Sequence, residues 1–283
     1  MIPIEKKLNL KTLLVSNWRA VSVTWLLVLL ENVLMALLPL LIGFSIDDLL
    51  AGQSHSLQWL ALVMVLLTLI AVGRRIYDTR VYGSIRVEFG LALEQRSVNK
   101  QVSLRNARLD MSRELVDFLE KTVPELITGI TQITIALIIL ANFNLLLALT
   151  AVVMGILMLF LYSQFHAVFL RLNMALNNQT ERQVGVLSLD KRTLLNRHLK
   201  LLRLWEVKLS DREAILYGLI FLLISGFVIA NLWLATQLST LTAGTIFSVV
   251  TYSLEYVEAA LILPATLQGL TRLQEITQRI NAT

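Results

Sequence analysis

The chain has 283 residues, of which 56% are hydrophobic and only 16% charged, and its mean hydropathy is strongly positive at +0.68. A water-soluble domain of this size would leave far more apolar surface uncovered than it could tolerate, so the bilayer is the solvent for most of the chain. The net charge of +5 does not indicate nucleic acid, because the basic residues alternate with acids in a pattern typical of membrane-topology signals, and the absence of cysteine removes disulfides, thiol nucleophiles and Cys-based metal sites.

The first segment places Leu10, Leu13, Leu14 and Trp18 at helical spacing with lysines on the other face, which predicts an interfacial elbow helix over residues 1–19. The apolar run that follows is long enough to span, so it reads as a retained anchor rather than a cleaved signal peptide. Spans are predicted near 20–46, 57–82, 123–141, 145–170, 214–235 and 244–270, within a single domain covering 1–283. From Leu126 to Leu170 no residue carries a formal charge, a stretch about twice as long as one span needs. It must turn once, and Asn142-Phe143-Asn144 is the polar break near its middle. A second uncharged run, Ala214 to Leu254, holds span five, an outer turn and the first half of span six. Between Arg74 and Lys121, and between Arg171 and Glu213, there is no proline and the composition favours helix, so the spans continue as helices well beyond the bilayer.

All 25 Lys and Arg residues fall within 6–19, 74–121, 171–212 and 272–279, and the turns at the opposite ends carry none. Positively charged loops stay in the cytoplasm during insertion, so the expectation is an all-α, six-span protein of the inner (plasma) membrane with both termini cytoplasmic.

Three acids lie inside spans: Glu31 in the first, Glu255 and Glu258 in the sixth. Counted from the outer helix ends they share one depth, and Glu255 and Glu258, three apart, share one face. A charge at membrane depth costs at least about 2.5 kcal/mol, so each should face water, pair with a cation or be protonated. The functional reading is proton coupling or binding of a cationic substrate, and the plainer one is a permanently wet structural cavity. If these acids carry protons, Glu255→Gln or Glu258→Gln abolishes pH-driven transport and leaves stability intact or slightly raised, with a similar or weaker effect for Glu31→Gln. Tyr252 and Tyr256 flank the pair and serve either cation–π recognition or packing. Asp47 and Asp48 read as solvated ends of span one, and His166 near the inner end of span four as a packing residue. His55 and His198 have no metal-ligand spacing, and no nucleophile elbow, catalytic triad or dinucleotide loop is present, so neither metal, cofactor nor enzymatic activity is expected.

Three stretches carry a resemblance. Pro39-Leu-Leu-Ile-Gly43-Phe-Ser-Ile-Asp47 closes span one, Leu241-Thr-Ala-Gly244-Thr-Ile opens span six, and Arg272-Leu-Gln-Glu-Ile-Thr-Gln-Arg279-Ile280 forms the tail. Together with the six-span outline they resemble the transmembrane domain of exporter-type ABC transporters. The resemblance implies a domain-swapped homodimer whose spans one and six line a central cavity. It also implies a nucleotide-binding domain after the tail, yet the chain stops at Thr283 and contains no Gly-x-x-x-x-Gly-Lys-Ser/Thr loop, so ATP hydrolysis by this chain alone is not expected. The loop between spans four and five reads as shorter than the family's, which carries a coupling helix seated in the ATPase. A lost second coupling helix would favour an ion-driven mechanism.

The function expected is therefore alternating-access transport of a small cationic or peptide-like substrate by a homodimer driven by protons. The alternatives are a permease subunit served by a separate ATPase chain, and a non-transporting membrane module that binds or regulates a partner.

Overall fold

A computed structural model describes residues 10–97, 102–189, 191–238 and 241–281. Among these the order is α1 (Leu10–Ser16), α2 (Trp18–Leu50), α3 (His55–Ser97), α4 (Val102–Asp117), a π-helical turn (Phe118–Thr122), α5 (Val123–Phe143), α6 (Leu145–Glu181), α7 (Gln183–Ser188), α8 (Arg192–Ala235) and α9 (Ala243–Asn281). Among the described residues six stretches are long and apolar enough to cross a membrane: Trp18–Leu50, His55–Gln95, Ser112–Phe143, Leu145–Ser188, Arg192–Ala235 and Ala243–Ile262. The chain is a multi-pass, all-helical membrane protein. The predicted elbow is described from Leu10 onward, and its residues 1–9 lie outside the described residues.

The chain forms two units, one made of residues 1–145 and 235–283, the other of 146–234. In the first unit α3 has 43 residues. At 1.5 Å per residue that is about 65 Å, roughly twice the hydrocarbon thickness. The excess forms the unit's densest packing, where Tyr82, Phe89, Leu93, Leu115 and Leu119 are all nearly inaccessible and Leu13 of α1 joins them. Tyr82 adds a hydrogen bond from its hydroxyl to the Leu119 carbonyl at 3.2 Å. Water drives that burial. Lipid supplies no such drive, and the most apolar window of the α3 span has no buried residue at all.

Within the membrane the helices of this unit are joined by small residues and polar contacts. Asn32 of α2 donates to the Thr128 hydroxyl of α5 at 2.9 Å and to its own Val28 carbonyl at 2.8 Å. Pro39 interrupts the α2 ladder, and α9 supplies donors on either side of it: Tyr252 to the Ala36 carbonyl at 2.6 Å, Ser248 to the Pro39 carbonyl at 3.1 Å. A proline is tolerated in a span where neighbouring side chains bond the disturbed carbonyls.

In the second unit the 37-residue α6 and the 44-residue α8 are linked by a polar contact at each level: Thr150 donates to Asn231 Oδ1 at 2.5 Å, and Gln179 lies 2.8 Å from His198 Nδ1. An apolar groove of about 560 Å³ opens between them beside Gly226 and Phe227. Their basic-end turn holds α7, a six-residue helix. The loop that reads as shorter than the family's thus holds a short helix of its own. Charge counting marks where the first basic residue falls, but α6 continues ten positions past Arg171 to Glu181, so the two hairpins come out nearly equal, with α3 at 43 residues and α8 at 44.

Candidate functional site

The charged centre of the first unit is built where α2, α3 and α5 face one another. Glu31 of α2 accepts from Arg74 Nε at 2.5 Å, and Arg74 Nη1 donates to Asp78 one turn further along α3 at 3.2 Å. The chain of contacts closes on α2 again, where Thr24 donates to the other Asp78 oxygen at 2.8 Å. Two charges of one sign and one of the other are thus fixed by hydrogen bonds, the arrangement that makes charge at membrane depth tolerable.

On the opposite wall the π turn shapes the site. Pro124 has no N–H to give, and its ring would collide with the carbonyl of residue 120 in a regular α-helix. The turn relieves this by widening, with the Val123 N–H bonded to the Phe118 carbonyl five residues back. Glu120 and Lys121 are carried on the widened turn, and Glu125 follows Pro124. Arg86 of α3 holds Glu120 and also Asp117, the latter at 2.6 Å. Between these walls lies a cavity of about 350 Å³ lined by Glu31, Arg74, Glu120, Lys121 and Glu125, with Gln132 and Asn32 deeper and Val28, Met35 and Ile262 as its apolar sides.

The structure separates the three in-span acids foreseen from the sequence. Glu31 lines this cavity and is paired. Glu255 and Glu258 do not line it. The contacts Ala36–Tyr252 and Pro39–Ser248 fix α2 and α9 antiparallel in a register that puts Glu31 level with Tyr256, so Glu255 and Glu258 stand near the same depth. Glu255 is half-buried and Glu258 exposed, and neither has a hydrogen bond or ion pair among the described residues. Tyr252 is fully buried with its hydroxyl committed to Ala36, and Tyr256 is 5% exposed, so both rings are packed between helices.

Sequence reading missed Arg74, Asp78 and Lys121 because they fell in a segment counted for its basic residues, and Glu125 because it stands at the very start of the third predicted span. A signal was available for Arg74: it and Glu31 lie the same distance either side of the Ala51–Ser54 turn, so an antiparallel hairpin must bring them level.

At the turn end of the unit, Asp47 is more than a solvated helix end. Its Oδ1 accepts from the Gly244 N–H at 2.8 Å and its Oδ2 from the Thr242 hydroxyl at 2.7 Å, so it caps α9, while Thr242 Oγ1 accepts from the Thr245 N–H at 3.1 Å. Asp48 does the same for α3, accepting from the Ser56 N–H at 2.9 Å and from its hydroxyl at 2.5 Å. Two carboxylates unfavourable at the C-terminus of their own helix thus lie at the N-termini of two others. The approach is so close that a Cβ on Gly244 would fall on the Gly43 carbonyl oxygen, and one on Gly43 would lie 2.7 Å from the Gly244 carbonyl oxygen.

The Pro39–Asp47 and Leu241–Ile246 stretches are therefore two halves of one contact. Residues 10–244 match the family described as ABC transporter transmembrane region. The chain belongs to that family. No curated protein matches it. As an ABC transporter transmembrane region it is a component of a membrane transporter. The matched stretch contains both long hairpins, the charged cavity up to Gln132 and the Asp47–Gly244 contact.

Proposed function

We propose that this transmembrane region is the substrate-translocating half of an ATP-driven transporter, assembled as a homodimer with its basic ends in the cytoplasm of an inner membrane. The observation that carries the reading is α7: a short separate helix occupies the turn of the second hairpin, the position at which the family seats a coupling helix in an ATPase. Two hairpins of nearly equal reach give that ATPase two points of attachment. The basic residues cluster at the same ends, which supports placing those ends in the cytoplasm.

Proteoliposomes containing the protein with a candidate ATPase, loaded with ATP on the ATPase side, test this. Substrate flux that requires ATP and survives a protonophore supports it. Flux that needs no ATPase and collapses with the protonophore replaces it with the second reading, proton-driven alternating access, which Glu255 and Glu258 favour as acids at membrane depth with no ion pair among the described residues. A stable soluble partner bound without any flux would favour a regulatory module instead.

A further inference from the structure

The charges around the cavity of the first unit are not equivalent. Arg74 is engaged by Glu31 and Asp78, and Glu120 by Arg86. Lys121 and Glu125 line the same cavity, are exposed to it, and have no hydrogen bond or ion pair among the described residues. They are four residues apart in the chain, Lys121 on the widened turn and Glu125 just beyond it, and line one cavity. That spacing ordinarily lets a Lys and a Glu pair with each other. Here the Lys precedes the Glu, the weaker orientation, and the π turn with Pro124 lies between them. An ammonium and a carboxylate therefore stand open at a pocket whose other charges are held in ion pairs.

We infer that this pocket binds a small zwitterion, with the ligand's anionic group on Lys121 and its ammonium on Glu125. The inference rests on the transport reading for the ligand's fate, but not for its binding. A simple cation would be repelled by Lys121 and a simple anion by Glu125, whereas a molecule carrying both charges a few ångströms apart satisfies each. Gln132, seven residues beyond Glu125 and so on the same face, offers a donor and an acceptor to an amide or carbonyl deeper in the pocket. Met35 and Ile262 supply apolar surface for a side chain. A volume of about 350 Å³ is near the lower end for ligand pockets, which suits an amino acid or a dipeptide. The same pair of charges occurs on an ethanolamine phospholipid headgroup, so the ligand is either a soluble zwitterion or that headgroup.

The test uses the intact protein in phosphatidylglycerol nanodiscs with radiolabelled dialanine, and glycerophosphoethanolamine as competitor. Dialanine binding that is lost on N-acetylation or C-terminal amidation, and weakened about ten- to a hundredfold by Lys121→Gln or Glu125→Gln, is the result expected, since each removes one charge-assisted bond. The exchange K121E/E125K keeps both charges and should restore binding toward the wild-type value, which a folding defect would not do. Binding confined to glycerophosphoethanolamine, with the same dependence on the two residues, assigns the site to a lipid headgroup. The inference is overturned if monodisperse protein binds neither probe, or binds the acetylated and amidated peptides equally well. Binding without flux counts against the transport reading and leaves the site standing. Flux of another compound with no zwitterion binding does the reverse.

Discussion

Asp47 and Gly244 lie 197 positions apart in the chain and are joined by a 2.8 Å hydrogen bond from the Gly244 amide to the Asp47 carboxylate. The bond locks the end of the first span to the start of the last. It also explains why Gly occurs at both 43 and 244, since any side chain at either would displace a carbonyl oxygen that belongs to a helix backbone and cannot move aside.

Asp47→Ala should therefore lower stability by about 1–2 kcal/mol, the usual worth of a helix cap, and Asp47→Asn by less, because the amide oxygen still accepts one bond. Gly244→Ala should cost roughly 1–3 kcal/mol through overpacking. Denaturant unfolding in detergent micelles measures both, and an unaltered midpoint for Asp47→Ala would show the cap to be unimportant.

For Glu31 the structure reverses the sign expected from sequence. Because Glu31 holds Arg74, Glu31→Gln removes a partner rather than a burden, and should destabilise by about 1–3 kcal/mol, less than for a fully buried pair since both side chains keep about a quarter of their exposure. Arg74→Gln should cost at least as much, because it also frees Asp78. A double-mutant cycle over Glu31→Gln and Arg74→Gln gives the coupling directly, and strictly additive losses would dissolve the pair.

Glu255→Gln and Glu258→Gln should behave in the opposite way. Neither acid is paired among the described residues, so both variants should keep or slightly raise the thermal midpoint. A fall of several degrees in either would reveal a partner for that carboxylate, and a loss of pH-dependent flux at unchanged stability would support the proton-driven reading.

Replacing Gln183–Ser188 by a Gly/Ser linker of the same length should leave insertion and the Thr150–Asn231 contact intact, because α7 has no buried residue and lies far along α6 from Thr150. ATP-dependent flux and ATPase co-purification should both fall at least tenfold. Retention of both would remove α7 from the coupling argument.

The span count and the helical extensions were legible because hydrophobic length and basic-residue bias are properties of the linear chain, independent of what packs against what. The charged cavity was not. Arg74 and Lys121 bound the basic segment that sets the topology, and counting them as topology signals hides that α3 and the π turn before α5 carry both into one pocket. Glu31 was found because an acid amid apolar residues stands out, but its role depends on a partner 43 positions away. Asp47 was misjudged for the same reason: the end of one helix looks solvated until the start of another is known to meet it.

The π turn before Pro124 has a consequence for chain length. Leu115 and Leu119 of the extension are buried, as is Pro124 of the span, so these inward-facing positions advance by four residues before the turn and by five across it. In an uninterrupted α-helix at 100° per residue, five positions would carry that face about 140° away from where it began. The widened turn absorbs the surplus residue and keeps water-side and lipid-side faces in phase. Removing a single residue there would let the turn close to a regular α-helix with Glu125 and Gln132 still facing Arg74, and would set the Pro124 ring against the carbonyl four positions before it. The surplus residue between Leu119 and Pro124 thus makes room for the proline ring without turning the span.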